Sequence, residues 1–249
     1  MSDKLIIGIS GKKQSGKSTL YEFVKLNKEN LFIGDVTIDK VDMADPLKEM
    51  IVNIMGVDKK LVYGSEQEKN MLTQYKWKDL PYHNVNQANL RASEYMTGRE
   101  LMQQVGTNIF RKMNPNIWVD AAINRMKKTE ADIVFCCDVR FPEEVMAIKN
   151  NGGIVIRLTK RKNNSVASAE HESEKRLDKE VFDWSNFDVI IDNNRMKIEE
   201  KNAAFLYAMS KIDLLDSKIN GFSYLDGTSH LFAPYFNDKI KNKIKIKQV

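Results

Sequence analysis

Gly11-Lys12-Lys13-Gln14-Ser15-Gly16-Lys17-Ser18 is the segment with the most explicit chemistry in this chain. Its spacing, G-x-x-x-x-G-K-[ST], is that of a phosphate-binding loop, or P-loop. Glycines let such a loop wrap closely, so that successive backbone N–H groups point inward at an anion. Lys17 would reach the β- and γ-phosphates of a nucleoside triphosphate, and the Ser18 hydroxyl would bind Mg²⁺. Thr19 would add a contact to the α-phosphate. Asp138 follows an apolar run, 133–137. An acid there either binds Mg²⁺, often through water, or caps a turn. Arg140 would lie at the same edge and bridge phosphate oxygens, unless it is a plain surface arginine. Arg157, Lys160, Arg161 and Lys162 form a dense basic cluster. It reads either as a solvated loop or as a lid bringing positive charge to a transferring phosphoryl group.

These residues need a scaffold, and the pattern supplies one. Residues 5–10 form an Ile-rich strand ahead of the loop, and Leu20, Phe23 and Val24 follow at helical spacing. A second strand is expected near 38–43. Asp45-Pro46 then opens a helix, with Leu47, Met50, Ile51, Ile54 and Met55 on one face and Gly56 at its end. Residues 59–98 are polar, aromatic-bearing and weakly periodic, a long connection of the kind that is functional or disordered. Helical patterns resume at 99–112 and 116–128. Strands are expected at 132–137, 154–158 and 187–191, with helices at 141–151 and about 197–213. Alternating strands and helices imply a parallel sheet covered on both faces.

Composition excludes several classes. The chain has 249 residues, 42% of them hydrophobic, enough for one large domain or a domain plus a lid. No apolar run approaches the length of a membrane span, and the N-terminal apolar segment is too brief for a signal peptide. Adjacent Cys136 and Cys137 would point to opposite faces of a strand, so a structural disulfide is not expected and a cytoplasmic setting is. His83, His171 and His230 show no zinc spacing. Much of the net charge of +5 sits near the C-terminus, where five lysines from Lys239 to Lys247 face one acid, Asp238. A protein-wide nucleic-acid surface is therefore not expected. The alternating Lys and Ile of that tail read as a disordered basic segment in preference to an edge strand.

The ordered set Lys4 to Thr19, Ala44-Asp45-Pro46-Leu47-Lys48, Gly98-Arg99-Glu100-Leu101-Met102-Gln103-Gln104-Val105-Gly106-Thr107, Trp118, Asp138-Val139-Arg140 and His171-Glu172-Ser173-Glu174 resembles phage-type deoxynucleoside monophosphate kinases. These are P-loop nucleoside monophosphate kinases, and the resemblance covers roughly residues 4–213. It implies a three-layer α/β fold with a five-stranded parallel sheet, an acceptor-binding insert at about 59–98 and a lid at about 159–185. Residues 1–213 would form the kinase domain, and 214–249 an extension without a counterpart. ATP would lie against Gly11, Lys12, Lys13, Gln14, Ser15, Gly16, Lys17, Ser18 and Thr19. Leu47, Lys48, Arg99, Gly106, Thr107, Trp118 and Arg140 would serve the monophosphate. Lys17, Arg99, Asp138 and Arg140 would be catalytic, and Ser18 and Asp138 would hold Mg²⁺. Arg157, Arg161, His171 and Glu174 would belong to the lid.

The residues themselves keep other readings beside these. Arg99 opens a helix, where its charge suits the dipole poorly; a phosphate partner would explain it, and so would a surface position. Trp118 shares a helical face with Ala121, Ala122 and Met126 and reads equally as core or base contact. His171 alone reads as a surface or capping histidine. The activity expected is ATP-dependent phosphorylation of a (deoxy)nucleoside 5′-monophosphate, with no membrane partner and with homodimerisation left open. A rival is another small-molecule P-loop kinase, such as a dephospho-coenzyme A kinase, in which Asp42, Asp45 or Asp138 would be the base for a hydroxyl acceptor. A second is an ATP-binding protein that engages nucleic acid through its tail.

Overall fold

Strands buried on both faces read as near-continuous apolar runs, and three such strands make the centre of this protein. The computed structural model describes residues 4–32, 35–81, 91–160, 175–212, 235 and 237–247. Its strands are β1 (Leu5–Gly11), β2 (Ile38–Lys40), β3 (Leu72–Lys76), β4 (Tyr95–Thr97), β5 (Ile133–Val139), β6 (Ile154–Leu158), β7 (Val189–Ile191) and β8 (Ile244–Ile246). The chain divides into two compact units, one made of Met1–Asp42 and Ile123–Val249, the other of Met43–Ala122.

In the first unit the sheet order is β2-β5-β1-β6-β7-β8. β2, β5, β1, β6 and β7 are parallel, as expected, and β8 adds a sixth strand antiparallel to β7. The expected count of five is therefore corrected to six. Strand periodicity sorts the side chains. Leu5, Ile7, Ile9, Ile133, Phe135, Cys137, Ile156 and Leu158 join one core with Leu20 and Val24 of the helix Lys17–Leu26 and with Ala203, Phe205 and Leu206 of the helix Ile198–Met209. Ser10, Cys136, Asp138 and Arg157 project from the other face by the same alternation. Both cysteines are buried and free.

The sixth strand corrects the disordered-tail expectation. Asn237 caps the turn of helix Asp238–Lys241 by accepting from Ile240 N at 3.1 Å, and Ile240 is buried in the main core. Ile246 and Ile244 then pair with Val189 and Ile191, while Lys245 pairs with Ile190. The Lys/Ile alternation is a period-2 pattern, which puts isoleucines on the core side and lysines in water. It also covers an edge that β7 would otherwise present unpaired. Ile240→Ala should accordingly destabilise the fold by about 2–5 kcal/mol, as for other fully buried large-to-small changes. Urea unfolding followed by circular dichroism measures this; a loss below ~0.5 kcal/mol would mean that the tail is not part of the core.

The second unit has its own core of Ile51, Val57, Leu61, Val62, Met96, Leu101 and Val105. Residues 59–98, read from sequence as weakly periodic, contain the helices Lys59–Tyr63 and Glu66–Lys69 and the antiparallel pair β3–β4. Residues 82–90 of that stretch lie outside the described residues. The helix expected at 99–112 is broken into an α-helix, Gly98–Gln103, a π-helical stretch, Gln104–Phe110, and a final turn, Arg111–Met113. Among the described residues no helix is long and apolar enough to cross a membrane.

Candidate functional site

The segment with the P-loop motif leaves the carboxyl end of β1, the strand between β5 and β6. Ser10 pairs with Val139 and Gly11 with Leu158, so the loop starts between the carboxyl ends of both neighbours. Gln14 and Gly16 adopt left-handed conformations, at φ 63° and 87°. The positive φ is what favours glycine at position 16, and the same spot is closely approached: a Cβ there would meet Lys201 Nζ at 2.8 Å and Thr19 Oγ1 at 3.1 Å, so those side chains would have to give way. Ser15 N donates to Lys12 O at 3.1 Å, closing the turn. Asn193 Nδ2, after β7, donates to the buried Ser15 carbonyl at 2.8 Å. Lys17 Nζ lies across the loop and donates to Gly11 O at 2.6 Å and Lys12 O at 3.0 Å. Lys13, Gln14, Ser18 and Thr19 are exposed. The helix Lys17–Leu26 starts directly behind the loop, its first-turn N–H groups and dipole favouring an anion there.

Beside this loop, β5 delivers Asp138 to the same sheet edge. Asp42, just after β2, joins it: donor atoms of Asp42, Cys136 and Asp138 all lie within 4.8 Å of one another. Asp42 Oδ1 accepts from Cys137 N at 2.8 Å, and its Oδ2 pairs with Lys40 at 3.1 Å. Cys136 Sγ donates to Asp138 Oδ1 at 3.4 Å. Burial, reinforced by the charges of Asp138 and Asp42, pushes the Cys136 thiol well above its ordinary range, so it stays protonated. The donor set on offer is thus carboxylate oxygen without thiolate, the set that suits a hard divalent ion such as Mg²⁺.

Arg140 begins the turn after β5. Glu144, buried in the helix Pro142–Asn150, accepts from Arg140 N at 2.7 Å and Phe141 N at 3.1 Å and so fixes this turn. Arg157, which the resemblance assigned to the lid, is a strand residue. It is buried within β6, donates to Ser10 Oγ at 2.8 Å and pairs with Asp178 at 3.4 Å. Its guanidinium also lies over Trp184 and Phe187. Asp178 binds Lys12 of the loop at 3.2 Å as well. Lys160 is exposed. Arg161, His171 and Glu174 lie outside the described residues.

The second unit holds the residues assigned to the acceptor other than Arg140. Lys48, on the helix Asp45–Asn53, pairs with Asp45 at 3.3 Å and lies 5.3 Å from the centre of the Tyr63 ring. Leu47 packs on Gly106, where a Cβ would meet Leu47 Cδ2 at 2.6 Å. The Gly106 carbonyl accepts from Trp118 Nε1 at 2.9 Å, and Trp118 is 7% exposed with its ring against Phe110. Of the two readings of Trp118, the structure places it in the core, bracing the π-helical stretch. Such stretches are rare and favoured at functional sites. Gln104, buried there, donates to Pro81 O and accepts from Asn108, while Thr107 is exposed. Arg99 is half-exposed; its Nη2 meets Glu66 at 2.6 Å and its Nε reaches Asn70 Oδ1 at 3.4 Å.

A family model described as deoxynucleotide monophosphate kinase matches residues 33–202, more than half of the chain. The chain belongs to this family. The matched stretch contains every acceptor-side candidate, Asp138 and Arg140. It begins after the P-loop, so that loop is a separate observation pointing to the same class. No curated protein matches the chain. Members of a monophosphate kinase family are transferases that act on nucleotides.

In this deoxynucleotide monophosphate kinase family member, three residues near the loop escaped the sequence reading: Asp178, Asn193 and Lys201. Asp178 and Asn193 sit in irregular segments, where no periodicity marks a side chain. Lys201 did carry a signal. It falls between Ile198 and Phe205 at helical spacing, so a charged residue occupies the apolar stripe.

Proposed function

We propose that this protein transfers the γ-phosphoryl group of ATP to a deoxynucleoside 5′-monophosphate, giving ADP and the diphosphate. The observation that supports this most is the juxtaposition at one sheet edge of the P-loop and the Asp42–Asp138 pair, in a chain of this family. A monophosphate oxygen of the acceptor attacks the γ-phosphorus as the bond to the β–γ bridging oxygen breaks. The acceptor is already an anion, so no strong base is needed; alignment and neutralisation of charge dominate. The loop N–H groups and Lys17 take the donor phosphates. Asp138 and Ser18 would hold Mg²⁺, with Asp42 beside them, and that ion would supply further neutralisation of the β- and γ-phosphates. Arg140 offsets repulsion near the transferring group. Leu47, Lys48, Arg99 and Thr107 belong to the acceptor side, with Gly106 and Trp118 shaping the backbone beneath them.

The test is a coupled ATP-dependent phosphorylation screen over the common deoxynucleoside and nucleoside monophosphates, with dephospho-coenzyme A included. Turnover of one or more deoxynucleotides is expected. Turnover of dephospho-coenzyme A alone would replace this reading with a hydroxyl-directed kinase.

A further inference from the structure

The helix Ile198–Met209 delivers an ammonium group to the back of the phosphate-binding loop. Lys201 is only 4% exposed. Its Nζ donates to Gly16 O at 3.0 Å and to Thr19 Oγ1. Thr19 in turn donates its hydroxyl to Gly16 O at 2.8 Å. The three groups form a closed knot at the first turn of the helix Lys17–Leu26. Among the described residues no carboxylate pairs with Lys201, and the other charge that acts on it is a second cation, Lys160. A buried cation without a counter-charge costs free energy, and such cations are otherwise paired or neutral. An anion bound at the loop would provide the missing charge.

From this geometry we infer that Lys201 is a positioning residue of the donor site: it clamps Gly16 and Thr19 and supplies buried positive charge that a bound triphosphate neutralises. The inference rests on the donor assignment made above. Its chemistry has two consequences that a packing lysine would not have. Burial, followed by Lys160, lowers the Lys201 ammonium to about 8. A triphosphate favours the charged form, so the extra affinity is full below about pH 8 and declines as pH rises beyond it. The second consequence is a trade of stability for affinity. A neutral side chain of similar shape relieves an uncompensated charge, so removing the ammonium should not weaken the ligand-free fold.

The experiment compares the parent, Lys201→Met and Lys201→Arg by calorimetric titration with a non-hydrolysable ATP analogue and Mg²⁺, at pH 7 and pH 9.5. Thermal melting is followed without ligand. Lys201→Met should weaken analogue binding about tenfold or more at pH 7, the scale of one charge-assisted contact. The gap to the parent should narrow at pH 9.5, since the ligand's own titration enters both proteins alike. Lys201→Arg should recover part of the affinity, and the Met variant should melt no lower than the parent. If the parent binds the analogue and Lys201→Met binds it within twofold, the inference is overturned while the donor assignment stands. A Met variant that melts lower and loses donor and monophosphate binding equally, without rescue by Arg, would also overturn it, making Lys201 a core residue. A parent that binds no analogue removes the donor assignment itself, and this inference with it.

Discussion

Lys17→Ala should lower kcat by roughly 10²–10³, the cost of removing one donor aimed at developing charge in a water-poor site. Lys17 Nζ already lies over the loop, bonded to the carbonyls of Gly11 and Lys12. It is therefore held within reach of the space that those residues enclose. Its neighbours do not depend on it for burial: the side chain is only partly covered, and the core face of its helix is made by Leu20, Tyr21 and Val24. The variant should fold like the parent, so its circular dichroism and melting curve serve as controls. Steady-state turnover at saturating ATP and monophosphate is the decisive measurement. Parental kcat in a folded Lys17→Ala variant would remove the P-loop from the proposed chemistry.

The second large effect concerns the acceptor. Arg99→Ala should raise the monophosphate KM about ten- to a hundredfold, if KM tracks binding, and leave the ATP KM nearly unchanged. A well-formed guanidinium–phosphate contact contributes about 1.5–3 kcal/mol, which corresponds to that range. Arg99 now pairs with Glu66 at 2.6 Å across an exposed surface, where such a pair is weak and exchangeable. A phosphate would compete with that carboxylate for the guanidinium. Glu66→Gln should therefore act in the opposite direction and lower the monophosphate KM. A two-substrate kinetic matrix for both variants separates the cases. If Arg99→Ala changes only the ATP KM, or neither, Arg99 is a surface residue and the acceptor assignment fails at this position.

Much of the candidate site was legible because the motifs that propose it depend on local sequence. The P-loop needs glycines and a lysine at fixed intervals along one turn. Asp138 is marked by its place at the end of an apolar strand run. Four of the five parallel strands, β1, β5, β6 and β7, announced themselves through apolar runs bounded by turns, while β2, Ile38-Asp39-Lys40, carried a weaker signal. Residues 59–98 were harder, since short helices and a two-stranded pair leave little periodicity to read. The break between Gly98–Gln103 and Gln104–Phe110 was not legible either. A π-helical stretch is wound more widely than an α-helix, but one this short shows no period of its own, and here it is braced by remote partners: Trp118 on the Gly106 carbonyl and Pro81 on Gln104.

By itself, the sequence determined the class of fold, the P-loop motif and the strand that carries Asp138, because each is written in contiguous residues with a recognisable spacing. Tertiary structure decided which distant residues meet them. Asp42 reaches Asp138 because β2 lies beside β5, an adjacency set by sheet order and not by spacing. Arg157 was expected on a lid, yet the pairing of Ser10 with Arg157 turns it into the sheet face, where Ser10 and Asp178 hold it. The tail was expected to be disordered, yet an open edge of β7 gave its alternating isoleucines a core to join. Lys201 shows the same division. Its place in an apolar stripe was visible along one helix, but its meaning depended on a loop 185 residues away in the chain.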